Sequence, residues 1–156
     1  MAMLYLGIDP GFSGALASIC NGQPSILDTP ILRAQAKKDY DLPRMVACLG
    51  AARETGADLH AILESIHSMP GQGVVSMFSM GRGLGVWEGL LAALEIPYTM
   101  LSPQKWQRVV GVSGDKQEHY RRACQLFPEI ASQLDRKRDG RSDALLLAAA
   151  GRILGL

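Results

Sequence analysis

Tyr5-Leu6-Gly7-Ile8-Asp9-Pro10-Gly11 decides how this chain is read. A short apolar run closes on an acid and then on Pro-Gly, the pattern of a strand that delivers a carboxylate into a tight turn. Two other segments also put acids at the edge of an apolar stretch: Ala61-Ile62-Leu63-Glu64-Ser65, and Asp139-Gly140-Arg141-Ser142-Asp143-Ala144-Leu145. One such acid would mean little. Three in a small chain predict converging carboxylates, and like charges held close together are costly unless a cation neutralises them. A divalent-metal site is therefore the first expectation.

Working outward, residues 3–9 read as the opening strand and Ala15 to Cys20 as a second. Asn21-Gly22 signals a hairpin turn into a third strand around Ser25 to Asp28. The polar connector from Ile31 to Asp41 carries no readable pattern. Leu42, Met45, Val46, Leu49 and Ala52 recur at helical spacing up to Thr55-Gly56. Leu59 to Glu64 then reads as a buried strand, Val74 to Leu94 as a long helix and Tyr98 to Leu101 as a strand, with two or three helices completing the chain. An antiparallel meander followed by alternating helix and strand predicts an α/β fold, a mixed sheet of about five strands in the order 3-2-1-4-5 flanked by helices. That is the ribonuclease H-like order. With the first and fourth strands adjacent, Asp9 and Glu64 would meet at matching strand ends.

A length of 156 residues suits a single domain spanning 1–156, and 47% hydrophobic against 20% charged residues argues against disorder. No apolar run approaches the ~20 residues that span a bilayer. The first residues lack a basic segment and a small-residue cleavage site, so no export is expected. Cys20, Cys48 and Cys124 are odd in number and widely spaced, which disfavours a disulfide framework or a structural zinc site and suits a reducing cytoplasm. The formal net charge of +1 hides an uneven distribution. Lys105, Arg108, Lys116, Arg121 and Arg122 fall in one stretch, and Arg136, Lys137, Arg138 and Arg141 crowd around Asp139. Such segments are either solvated basic faces or a rim that holds a phosphodiester backbone around an acidic centre.

Asp9 and Glu64 would offer hard oxygen ligands, suited to Mg²⁺ or Mn²⁺. Asp139 and Asp143, four apart, would share one helix face and close the site from the other side. Two metals ~3.5–4 Å apart would support in-line phosphoryl displacement. Each acid also has a plainer reading: Asp9 as a turn residue, Glu64 as a solvent-facing strand end, Asp139 as an N-cap and Asp143 as a partner of the helix dipole.

Gly7-Ile8-Asp9-Pro10-Gly11 with Gly14-Ala15-Leu16-Ala17 resembles the first motif of RuvC-type Holliday-junction resolvases. Leu63-Glu64-Ser65 is similar to the second. Gln107-Arg108-Val109-Val110-Gly111 and Gly114-Asp115-Lys116 resemble the family's DNA-contacting segment, and Asp143-Ala144-Leu145-Leu146-Leu147-Ala148 its terminal acidic helix. The resemblance covers nearly the whole chain. It implies a homodimer that resolves four-way DNA junctions by paired symmetric nicks, with two Mg²⁺ per active site and Mn²⁺ as a substitute. Residue by residue, it implies Asp9, Glu64, Asp139 and Asp143 as catalytic metal ligands, and Lys116 near the scissile phosphate. Lys105 is displaced by one position from its match. Arg108, Arg121 and Arg122 would hold backbone phosphates. His67 falls where bacterial members carry an aromatic that stacks at the junction, and is otherwise an ordinary loop histidine. The spacing of the last two acids departs from the bacterial pattern and is closer to the plastid branch, where a His commonly replaces the residue at position 139, so the role of Asp139 as ligand or general base stays open.

Gly81, Gly85 and Gly89 recur every four residues along the long helix, a smooth stripe for close approach of a second subunit or of the protein's own sheet. Two other functions fit parts of the pattern. Gly7-Ile8-Asp9-Pro10-Gly11 also resembles the first phosphate loop of the actin-like ATPase and sugar-kinase fold, although that fold needs a duplicated domain. A non-catalytic, junction-binding architectural dimer is the other.

Overall fold

The computed structural model describes residues 2–156, except for the side chain of Asp139. Five strands form the central sheet: β1 (Met3–Asp9), β2 (Ala15–Cys20), β3 (Gln23–Asp28), β6 (Asp58–Glu64) and β7 (Tyr98–Leu101), in the order β3-β2-β1-β6-β7. The first three pair antiparallel, whereas β6 runs parallel to both β1 and β7. This is the expected mixed sheet, with β6 and β7 as its fourth and fifth strands. Asn21 and Gly22 both take positive φ, 50° and 79°, as the tight β2–β3 turn requires.

The unreadable connector is a hairpin of its own, β4 (Ile31–Ala34) and β5 (Lys37–Tyr40). Asp41 caps α1 (Leu42–Glu54) by accepting from the Arg44 backbone amide at 3.2 Å, and Pro43 occupies the first turn where a missing N–H costs nothing. The long helix α2 runs Val74–Ala93. After β7 come α3 (Pro103–Val110), α4 (Lys116–Leu126), a 3₁₀ turn (Pro128–Gln133) and α5 (Asp139–Leu154). No described helix is long and apolar enough to cross a membrane.

Strand alternation divides the core in two. Leu4, Leu6 and Ile8 of β1, with Ala61 and Leu63 of β6, pack with Met45 and Leu49 of α1 and Trp87 and Leu91 of α2. The opposite face packs on α5, with α3 and α4 behind it. Ala144 through Ala150 are all buried, so α5 is a central helix clad on both sides.

Candidate active site

Asp9 ends β1 and Glu64 ends β6. The strands are parallel with Ile8 opposite Leu63, so the two acids leave the sheet side by side one step further on. Because Ile8 and Leu63 face α1 and α2, period-two alternation turns Asp9 and Glu64 toward α5. On that face Gly7 lets the helix approach: a Cβ there would collide with the Ala144 carbonyl and the Ala148 amide. Asp143, one residue before Ala144, is thereby held over the strand ends.

One carboxylate oxygen each from Asp9, Glu64 and Asp143 lies within 4.8 Å of the others. Asp9 and Glu64 are half-buried and Asp143 is 2% exposed. An all-oxygen donor set of this kind fits a hard divalent cation such as Mg²⁺ or Mn²⁺.

A buried carboxylate needs partners. Asp143 has one for each oxygen: Oδ1 lies 2.7 Å from His119 Nδ1, and Oδ2 is paired with the Lys116 ammonium. His119 is itself buried in α4, its ring edge-on to Trp106 with centroids 5.0 Å apart. Its Nε2 lies 2.7 Å from the Ser113 carbonyl oxygen, which can only accept, so that nitrogen carries a proton. Burial pulls the imidazole pKa down, but the hydrogen bond to Asp143, the charge of Asp143 and the Ser113 carbonyl outweigh it, and the ring is held above its usual range. An acceptor oxygen thus faces each ring nitrogen, and the contact with Nδ1 fixes the carboxylate plane of Asp143. Lys116 differs in that its side chain is 52% exposed, so one ammonium touches both the acid cluster and solvent.

The other sequence candidates are distributed as follows. Asp139 is the first residue of α5 and Arg138 its N-cap, so the N-cap reading of Asp139 does not hold; its side chain lies outside the described residues. Lys105 and Arg108 are exposed on α3, and Arg121 is exposed on α4. Arg122 turns inward, its Nε donating to the Val110 carbonyl at 2.8 Å at the end of α3. His67 is exposed after β6, with Nε2 3.2 Å from Ser65 Oγ. Gly81, Gly85 and Gly89 are exposed, with open space at each Cβ position, whereas Gly83 between them is buried against Tyr40. The stripe thus faces away from the protein's own sheet.

His119 is the member of the site that motif reading missed. A signal existed: it sits three residues after Lys116 and four before Ala123, on the face of α4 that enters the core. A histidine at a core position of an otherwise polar helix needs a buried partner.

Comparison with solved structures finds the same architecture over nearly the full chain. Thermus thermophilus RuvC in complex with Holliday junction substrate matches with a TM-score of 0.63, covering 98% of this chain and 94% of that one at 15% identity. The fold is of the RuvC type. A second T. thermophilus RuvC structure gives a TM-score of 0.61, with 98% and 97% coverage at 14% identity. No family model matches the sequence, and no curated protein does. At such low identity the likeness to RuvC concerns the fold, and the chemistry has to be argued from the chain's own residues.

Proposed function

We propose that the chain is a divalent-metal-dependent endodeoxyribonuclease that resolves four-way DNA junctions by paired nicks. The observation that carries this reading is the Asp9, Glu64 and Asp143 cluster at the strand ends of a RuvC-type sheet. Asp9, Glu64 and Asp143 would hold two Mg²⁺ or Mn²⁺ ions, with Asp139 as a fourth candidate at the start of α5. Such ions, when bound, supply Lewis-acid activation of water and stabilisation of the leaving oxygen.

The protein's own groups do the rest. His119 keeps Asp143 in one orientation, so that little reorganisation accompanies the reaction. Lys116, already at the cluster and half open to solvent, would meet a non-bridging oxygen of the scissile phosphate. Lys105, Arg108 and Arg121, exposed on α3 and α4, would hold neighbouring phosphates. Arg122 would contribute mainly by anchoring α3 to α4. His67 would offer an imidazole face beside the junction.

Paired nicking calls for two sites related by a two-fold axis. The homodimer reading is supported by the exposed start of α2, where Val74, Val75 and Phe78 are 75–83% exposed next to the open glycine stripe. The three cysteines are free, which suits a cytoplasmic protein.

The test is nicking of a synthetic four-way junction beside a matched linear duplex, with Mg²⁺ and with chelator. Symmetric, metal-dependent cuts confined to the junction are expected. Asp9→Asn should lower the rate by roughly 10²–10³-fold or more while junction binding persists. Junction binding with no cleavage in either metal would instead favour the architectural dimer.

A further inference from the structure

The β4–β5 hairpin has two faces of different character. In its register Arg33 stands directly opposite Lys38 and Ile31 opposite Tyr40, so Arg33 and Lys38 share a face. Like charges directly opposite on paired strands repel each other. Neither has a carboxylate partner among the described residues, whereas Asp39, on the other face, is paired with Arg82.

Arg33 and Lys38 form one wall of a pocket whose other wall is the start of α5, with Lys137, Arg138 and Arg141. Five cations therefore line the pocket, and Asp28 is the one carboxylate among the described residues lining it. Asp28 is already engaged. Arg141 donates to both its oxygens at 2.7 and 2.9 Å, and Arg138 lies 3.6 Å away. Arg33, Lys38 and Lys137 are left without an anion among the described residues. Thr29, 3% exposed, also lines the pocket, and its hydroxyl has no hydrogen-bond partner among the described residues. A buried hydroxyl without a partner and an uncompensated set of cations both call for an oxyanion.

The pocket also adjoins the groove that contains Asp9. Phe12, Ser13 and Gly14 line it on one side and, on the other, line the groove that contains Asp9. The loop between β1 and β2 is thus a ridge with Asp9 on one flank and the cations on the other.

We propose that this pocket seats a backbone phosphate of the bound DNA, with the hairpin as an arm that holds the strand where it leaves the acid cluster. The assignment rests on the DNA-processing reading above. It gives a purpose to a cross-strand pair of like charges that the fold alone would disfavour, since a phosphate between Arg33 and Lys38 turns their repulsion into a clamp.

The experiment is equilibrium binding of a labelled four-way junction in chelator, where no cleavage occurs, across a salt series. Arg33→Ala/Lys38→Ala is expected to weaken binding by about tenfold near 0.1 M salt and to reduce the slope of log K against log salt by about 1–2. Lys37→Ala removes one positive charge from the opposite face of the hairpin and should stay within about twofold of the wild type. Without DNA the double variant should melt no lower than the wild type, because it removes a repulsion. A double variant that binds like the wild type, or a Lys37→Ala variant that loses half or more of what the pair loses on a logarithmic scale, overturns the pocket. A wild-type protein that binds no DNA overturns the functional reading and the pocket with it, an outcome distinct from loss of the pocket alone.

Discussion

Two long helices flank the central sheet, and they are apolar in different ways. On α5 every residue from Ala144 to Ala150 is buried, and its contacts with the sheet run through Gly7 and Gly151, where a Cβ would strike the neighbouring element. On α2 Gly83, Trp87 and Leu91 are buried, while Val74, Val75 and Phe78 are exposed beside glycines that face open space. The difference separates two uses of small residues. Around α5 they let the fold close on itself and set where Asp143 stands. Along α2 they leave a surface unfilled.

The sharpest way to break this comparison is to add one methyl group on each side. Gly7→Ala drives a Cβ into the backbone of α5, which cannot rotate away as a side chain would. Overpacking of this kind costs about 3 kcal/mol, or ~6–12 °C of melting temperature for a chain of this size. Asp143 should move with the helix, so nicking by the folded fraction should fall too. Gly85→Ala meets no atom of its own chain within 4 Å, and at concentrations where the chain is monomeric the better helix propensity should raise stability by about 1 kcal/mol. Thermal melts of the two variants should therefore shift in opposite directions, and equal losses would refute the distinction.

The next largest effect concerns what holds Asp143 once α5 is in place. His119→Leu removes the donor to Asp143 Oδ1 and leaves the Ser113 carbonyl unpaired. Loss of a positioning partner of this type lowers metal affinity or activity by about 10–100-fold. Calorimetric titration with Mn²⁺ should show the loss directly, and junction binding in chelator should be unchanged. Unaltered Mn²⁺ affinity would mean that α5 alone orients the carboxylate. On the α2 side, Phe78→Asp should convert a dimer to a monomer in sedimentation, and its melting temperature should match that of wild type diluted until it is monomeric, because Phe78 is 75% exposed in the single chain. An unchanged mass would move the two-fold contact elsewhere.

The parts of this molecule that were legible in the sequence are those in which local pattern and tertiary burial agree. The strands β1, β2, β6 and β7 announce themselves through apolar runs ending in turn residues or acids, and β7 occupies the span read from the sequence. Strand parity and sheet order then bring Asp9 and Glu64 together, and the close packing of α5 on Gly7 carries Asp143 to them. The β4–β5 hairpin was not legible for an equally physical reason. Its strands are only four residues long and mostly exposed, and its turn is made by Gln35 and Ala36 at φ 47° and 64°, without the Gly or Asn that usually marks such a turn. His119 was hidden because its partner is 24 residues away and the contact exists only when α4 lies on α5. Arginines mislead in the same way. Arg122 and Arg141 look alike in a basic stretch, yet one is bonded to the end of α3 and the other ties α5 to β3.

That last tie gives the smallest expected effect and a defined pH dependence. The hydrogen bonds from Arg141, opposed in part by burial and aided by the charges of Arg141 and Arg138, hold the Asp28 carboxyl below its usual value near 3.8. A carboxylate whose pKa is depressed on folding contributes stability that is complete above the unfolded value and is lost as the pH falls through the lowered folded value. Asp28 is 47% exposed, so solvent screens the pair and its worth lies within about 0–1 kcal/mol. Arg141 also donates from Nη1 to the Gln133 carbonyl at 2.6 Å, a bond indifferent to pH in this range. Arg141→Gln should therefore melt slightly below the wild type at pH 7, and the gap should narrow as the pH drops below 3.8, leaving a residue that belongs to the Gln133 contact. A gap that stays constant down to the acid limit would assign the whole anchoring of α5 at this end to the carbonyl contact and to packing, with no share for the ion pair.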